Sequence, residues 1–279
     1  MKFLIDNYAS NESTQPLYFD HSLKELNHDC SLVNLGDCSV FDALDTIDPE
    51  FVIISAHRFH RHLIAYLQQN PEKNIKIILN VDYISNVDLD LLLQFLSNQN
   101  VDVLFAFTSN YSMPQTIGRL NVLKMLPAAD NNEIMKTDFE YRIDKAIIVD
   151  SLTSDISDSK SFHVVSTRSE LADKVDICSA SVALRGLYKN YDEVIIKDMK
   201  QISQVFLEAI LNGNKVYYDN KDQDEDLAKT INNIFKLDID LNYSSKNKTT
   251  NFDDIKKAIT EKHLGLNRTK TLLSQIKGA

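Results

Sequence analysis

The densest group of side chains that could do chemistry lies at residues 55–62, SAHRFHRH. It holds three histidines and two arginines within six residues, directly after the apolar run 51–55. His57 and Arg61 are four residues apart, so on a helix they would share one face and could contact a phosphate or a sugar. His57 is therefore a catalytic candidate. The alternative is a basic first turn of a surface helix. No carboxylate or cysteine accompanies the histidines at metal-ligand spacing, so we predict no metal here.

Two more polar sites follow apolar runs that read as strands. Asp82 comes shortly after the run 75–79, and the polar segment 108–111, TSNY, closes the run 101–108. Ligands of open α/β sheets bind outside the carboxyl ends of the strands, which makes Asp82 a second catalytic candidate. The alternatives are a turn residue or a helix N-cap for Asp82, and capping rather than sugar recognition for 108–111.

The segment 193–220 predicts a βαβ unit: a buried strand, a polar turn, an amphipathic helix at 203–211 and a second buried strand. Its first turn exposes backbone N–H groups and a helix N-terminus, which suit a diphosphate. A carboxylate late in the helix could reach ribose hydroxyls, or it could be solvated. The residues predicted to bind a nucleotide donor are Arg185, Lys197, Lys200, Ser203, Gln204 and Glu208.

Composition narrows the function classes. The net charge of −10 over 279 residues argues against a protein that holds nucleic acid by charge alone. The six glycines cannot be arranged into GxGxxG or Walker A spacing, so a phosphate site must rest on helix N-termini and side chains. Three cysteines without metal-ligand spacing predict reduced thiols, and no run approaches about 20 apolar residues. We therefore expect a cytoplasmic protein without a membrane span, in the host cytoplasm if a phage encodes it.

Strands and helices alternate along the whole chain, which predicts parallel sheets covered on both faces. The predicted strands are 2–5, 31–35, 51–55, 75–79, 101–108, 122–126, 145–149, 162–166, 174–178, 193–196 and 215–218. The predicted helices are 19–27, 40–47, 60–69, 89–96, 169–172, 182–188, 203–211, 224–235 and 252–277. A break at 126–132, LPAADNN, predicts a crossing between domains. The prediction is a first domain at 1–128, a second domain at 129–260 and a closing helix at 261–279.

Three segments resemble the spore-maturation (CgeB-like) glycosyltransferases: LPAAD at 126–130, FLEAILNGNKV at 206–216 and HLGLNRTKTLL at 263–273. The resemblance implies the GT-B fold, with two Rossmann-like, doubly wound parallel-sheet domains facing a cleft. Residues 1–128 would be the acceptor domain and residues 129–260 the nucleotide-sugar domain. The resemblance also implies a UDP-sugar as donor substrate, no permanently bound cofactor, and a glycan or protein as acceptor. Helix dipole and Lys or Arg side chains would hold the diphosphate without a metal. The oligomeric state stays open.

The segment 75–83, IKIILNVDY, also resembles the phage DNA glucosyltransferases, in which the aspartate at this strand end is the general base. That resemblance implies the same role for Asp82 and a modified DNA base as an alternative acceptor. The chain departs from related enzymes at Val205, where they carry Arg, and at Lys200, where retaining enzymes carry Glu. A further departure is DSLTS at 150–154, in place of a Gly-rich loop. These departures leave open a GT-B-like module that binds or assembles without catalysis.

Overall fold

The computed structural model describes residues 1–7, 15–59, 61–82, 84–109, 113–125, 128–130, 143–149, 163–166, 177–178, 191–197, 204–212, 214–219 and 252–278. The chain divides into two compact units. The first comprises Met1–Tyr8, Gln15–Leu126 and Leu266–Ala279, and the second comprises Ala9–Thr14 and Pro127–Gly265.

The first unit is built on a seven-stranded sheet with the order β2-β1-β3-β4-β5-β7-β6. All neighbouring strands are parallel except β6 and β7. Its strands are β1 Lys2–Asp6, β2 Asp29–Val33, β3 Phe51–Ser55, β4 Lys76–Asn80, β5 Val103–Thr108, β6 Thr116–Ile117 and β7 Leu120–Lys124. The α/β class predicted from the sequence is confirmed.

The helices of the described residues follow the same alternation. They are α1 Gln15–Glu25, α2 Val40–Ile47, α3 Arg61–Gln69, α4 Asn86–Asn98, α5 Gln204–Leu211, α6 Phe252–Lys262 and α7 Gly265–Gly278, with short 3₁₀ turns at Ala56–Arg58 and Pro71–Lys73. β3 and α2 have the predicted bounds. β2 begins two residues earlier than predicted, because Asp29 and Cys30 pair with the first residues of β1.

Both faces of the first sheet are covered, as right-handed crossovers require. The chain moves one way across the sheet from β1 to β2 and the other way from β2 through β5, so α1 lies on one face and α2, α3 and α4 lie on the other. The second face buries alternate strand residues such as Leu4, Val52 and Ile54 in one apolar cluster with those three helices. On the first face, Phe19 of α1 packs edge-on against Phe107 of β5 at 5.5 Å.

The second unit contains a five-stranded parallel sheet with the order β10-β9-β8-β11-β12. Its strands are β8 Ile143–Val149, β9 His163–Ser166, β10 Ile177–Cys178, β11 Tyr191–Lys197 and β12 Lys215–Asp219. The predicted βαβ unit is confirmed, since α5 connects the neighbouring strands β11 and β12. The helices predicted at 169–172, 182–188 and 224–235 lie outside the described residues.

The prediction of one final helix over 252–277 is wrong. The structure has two helices, α6 and α7, separated at His263 and Leu264. Backbone bonds to Ala129 cause the break: Ala129 N donates to His263 O at 3.1 Å, and Gly265 N donates to Ala129 O at 2.7 Å. These groups are engaged across the chain, so they cannot continue a helical ladder.

Ser85 fixes the start of α4, since its Oγ accepts from Asp88 N at 3.1 Å and donates to Asp88 Oδ2 at 2.6 Å. We expect Ser85→Ala to lower the free energy of unfolding by about 1 kcal/mol in urea titrations. Ser97→Ala, an exposed change in the last turn of the same helix, is the control and should change stability by less than about 0.5 kcal/mol. Equal losses in the two variants would contradict the capping role.

Candidate active site at the carboxyl edge of the first sheet

The carboxyl ends of β3, β4 and β5 lie side by side. The register pairs Ser55 with Asn80, and Asn80 with Phe107. The residues that follow these strands therefore emerge along one edge at intervals of about 4.8 Å per strand. This edge receives His57 after β3, Asp82 after β4 and Ser109 after β5. The strand order reverses between β1 and β3, and ligands of open α/β sheets bind at such a reversal.

The Asp82 carboxylate is anchored through one oxygen. Asp82 Oδ1 accepts hydrogen bonds from Thr108 Oγ1 at 2.9 Å, Ser109 N at 2.5 Å and Ser109 Oγ at 3.0 Å. Asp82 N donates to Asn80 Oδ1 at 2.9 Å, which forms a turn at the end of β4. The alternative that Asp82 caps a helix is wrong, because Ser85 is the cap of α4. None of these three hydrogen bonds involves Asp82 Oδ2.

Burial raises the pKa of the Asp82 carboxyl above its ordinary value. Hydrogen bonds from Ser109, Thr108 and Asn80 act in the opposite direction, since they stabilise the ionised form, but they do not cancel the effect of burial. The result is a carboxylate that is held in place by donors and is a stronger proton acceptor than an ordinary aspartate. That combination suits a general base.

A layer of buried polar side chains lies at the end of β4. Asn80 Nδ2 donates to Gln15 Oε1, which joins the end of β4 to the first residue of α1, 65 positions earlier in the chain. Sequence reasoning missed both residues. The available signal was Asn80 itself, since a polar residue directly after an apolar run marks the place where the sheet edge becomes polar.

Tyr18, one turn further along α1, has a fully buried ring, and its Oη makes no hydrogen bond. Burial raises its pKa, while the Arg268 guanidinium of α7 lowers it and Asp82 raises it further. Arg268 and Asp82 are therefore close enough to Tyr18 to act on it electrostatically. Arg268, which lies in the family-like segment 263–273, is half-buried.

His57 occupies a different local structure from the one predicted. It lies in the 3₁₀ turn Ala56–Arg58, and extended backbone at Phe59 (φ −66°, ψ 118°) separates that turn from α3. The prediction that His57 and Arg61 share a helix face is therefore wrong. His57 is exposed, and its Nδ1 shares a 2.7 Å hydrogen bond with Ser55 Oγ. His60, Asn110 and Tyr111 lie outside the described residues.

In the second unit, Lys197 ends β11 opposite Val149 of β8. The strand order of this sheet reverses between those two strands, so the backbone of Lys197 lies at a ligand-binding position of the fold. Gln204 is the first residue of α5, whereas Arg185, Lys200 and Ser203 lie outside the described residues. Glu208 is 3% exposed, so the alternative of a solvated helix carboxylate is wrong.

Within the described part of the chain, no three His, Cys, Asp or Glu side chains gather where they could hold a metal ion. No helix in those same ranges has the length and apolar character needed to cross a membrane.

The chain matches no protein-family model and no curated protein. Among solved structures it is similar to AviGT4, a glycosyltransferase involved in avilamycin A biosynthesis. The TM-score is 0.63 at 10% sequence identity, and the match covers 99% of this chain and 97% of AviGT4. At that identity the likeness concerns the fold alone.

Asp82→Asn tests the cost of burying this carboxylate. Burial raises the pKa of Asp82 in the folded state, so the ionised carboxylate destabilises the fold at neutral pH. This destabilisation disappears as the pH falls through the folded-state pKa and the carboxylate becomes protonated. We expect the variant to be more stable than wild type at pH 7, and the difference to shrink by about pH 4. Urea titrations at both values measure it. A difference that grows on acidification would contradict the raised pKa.

Tyr18→Phe and Tyr66→Phe form a matched pair of buried tyrosines. Tyr18 Oη makes no hydrogen bond, so its removal should leave the free energy of unfolding within about 0.5 kcal/mol of wild type, or raise it. Tyr66 Oη donates to Asp45 Oδ1 at 2.6 Å, so its removal should cost about 1–2 kcal/mol. Thermal and urea unfolding measure both. Equal losses would show that the Tyr18 hydroxyl has a partner in solution.

Proposed function

We propose that this protein is a glycosyltransferase of the GT-B type, which transfers a sugar from a UDP-sugar to an acceptor hydroxyl. The observation that carries the proposal is the anchored Asp82 carboxylate, with a raised pKa, at the carboxyl edge of a parallel sheet. The similarity of the whole chain to the fold of a solved glycosyltransferase supports it. The arrangement of the two units as facing GT-B domains is part of the proposal.

In the proposed reaction Asp82 Oδ2 takes the proton of the acceptor hydroxyl. The acceptor oxygen forms the new glycosidic bond with the anomeric carbon, while the bond from that carbon to the diphosphate breaks and UDP leaves with the electron pair. Thr108 and Ser109 keep the carboxylate oriented throughout, because their hydrogen bonds hold Oδ1 while Oδ2 takes the proton. A single displacement of this kind inverts the anomeric centre.

The donor would bind the second unit. Lys197 lies where the strand order of that sheet reverses, and the N-terminus of α5 follows it in the chain. Positive charge from Lys197, Lys200 and Arg185, with backbone N–H groups, would stabilise the leaving diphosphate. Buried Glu208 would meet the ribose hydroxyls from α5. His57, exposed at the carboxyl edge of the first sheet, would contact the acceptor.

Two measurements test the proposal. UDP, UDP-glucose and UDP-N-acetylglucosamine are added in thermal-shift assays, and at least one should raise the melting temperature. Asp82→Asn should then bind the same nucleotide but consume the sugar donor about 10²–10⁴-fold more slowly, since it lacks the base. Wild-type kcat/KM should fall as the medium is acidified through the raised pKa of Asp82.

The control is Asp29→Asn, which changes an exposed carboxylate at the start of β2 and should leave the rate unchanged. Stabilisation by no nucleotide would overturn the assignment and favour a GT-B-like binding module. An unimpaired Asp82→Asn would overturn the role of Asp82 as the base. Glycans, proteins and hydroxymethylated DNA serve as alternative acceptors in the assay.

A further inference from the structure

Helix α4 carries a row of apolar side chains on its outer surface. Val87, Leu91 and Phe95 are 71%, 59% and 46% exposed. They are spaced by four residues, so they form one stripe along about 12 Å of the helix. On the opposite side, Leu89 and Leu96 are buried in the core of the first unit. The packing of this unit therefore buries one apolar face of α4 and leaves the Val87–Leu91–Phe95 stripe exposed.

The charged residues that α4 itself places beside the stripe are negative. Asp88 and Asp90 are exposed and, at 100° per residue, lie on opposite sides of the stripe. The helix has no Lys, Arg or His, and its last turn contains no basic residue to offset the negative end of the helix dipole. A partner that buries this stripe would bring positive charge to both sides of it.

The same charges disfavour a second copy of the chain. Two α4 helices packed face to face would place like carboxylates against each other, in a protein whose net charge is −10. A stable interface between two folded proteins also needs about 800 Å² from each partner, far more than three partly exposed side chains provide. One amphipathic helix with anchors a turn apart fits a stripe of this size.

The stripe begins beside the proposed active site. α4 starts at Asn86, four residues after Asp82, and the Ser85 cap fixes that start. We propose that the Val87–Leu91–Phe95 stripe docks a basic amphipathic helix of an acceptor polypeptide, which carries the hydroxyl to Asp82. The identity of this segment as the acceptor rests on the proposed function, whereas the docking does not.

The probe is a synthetic 18-residue amphipathic helix of Leu and Lys with a fluorescein label, and the control peptide has Glu in place of every Lys. In anisotropy titrations the Lys peptide should bind the wild-type protein and the Glu peptide should not. Leu91→Ser should weaken binding at least 10-fold without changing the melting temperature, because Leu91 is mostly exposed. Asp90→Asn should weaken it a few-fold in low salt, and the effect should fade near 0.5 M salt. Asp29→Asn should bind like wild type.

Each remaining outcome decides one part of the proposal. The docking is overturned if wild type and Leu91→Ser bind the peptide equally. It is also overturned if light scattering shows that the wild-type protein is a dimer and that, among the variants, Leu91→Ser alone is a monomer. Asp82→Asn should bind the peptide like wild type, which keeps docking separate from catalysis. A further test uses a Lys peptide that contains serine, with wild-type protein that hydrolyses its UDP-sugar donor. If this peptide binds but does not increase the rate of UDP-sugar consumption, the docking stands and the acceptor assignment is overturned.

Discussion

The hydrogen bonds that join the ends of β4 and β5 through Asp82 Oδ1 determine what the first unit can do. Their donors come from Thr108 and Ser109, 26 and 27 positions further along the chain, so the carboxylate is in place only when the two strands are paired. Folding of the sheet and construction of the site are thus one event. One oxygen of Asp82 accepts the structural hydrogen bonds, and burial raises the pKa of the carboxyl. The site therefore has a stronger base than an ordinary aspartate, and the folded state is less stable because of it.

The polar layer around this carboxylate contrasts with the rest of the unit. Both faces of the sheet are apolar along the strands, yet their carboxyl ends carry buried polar side chains such as Asn80 and Thr108. Asn80 binds Gln15, and the phenol of Tyr18 lies nearby without a hydrogen bond. Natural cores keep such groups few because each carries a desolvation cost. Their concentration at one edge is the physical reason for placing the candidate site there.

The sequence pattern predicted correctly the bounds of those elements that depend on neighbouring residues alone. Strand β3 and helix α2 have the predicted bounds, because an apolar run and a helical stripe are separated there by Asp48 and Pro49. Long-range contacts decided the rest. The break between α6 and α7 depends on Ala129, more than a hundred residues away, and the partners of Asp82 lie on the next strand of the sheet. The His57–Arg61 prediction failed because helical spacing cannot reveal the extended residue Phe59 between them.

The return of α7 to the first unit has a consequence for synthesis of the chain. Residues 266–279 belong to the same unit as β1, and Thr269, Leu272 and Leu273 of this helix are buried. The first unit therefore cannot be completed when its sheet leaves the ribosome, but only after the second unit has been translated. During synthesis, domains usually fold one after the other, beginning with the N-terminal domain. In this protein the first unit begins before the second unit but is completed after it. Until α7 has been synthesised, the surface of the first unit that α7 covers stays exposed.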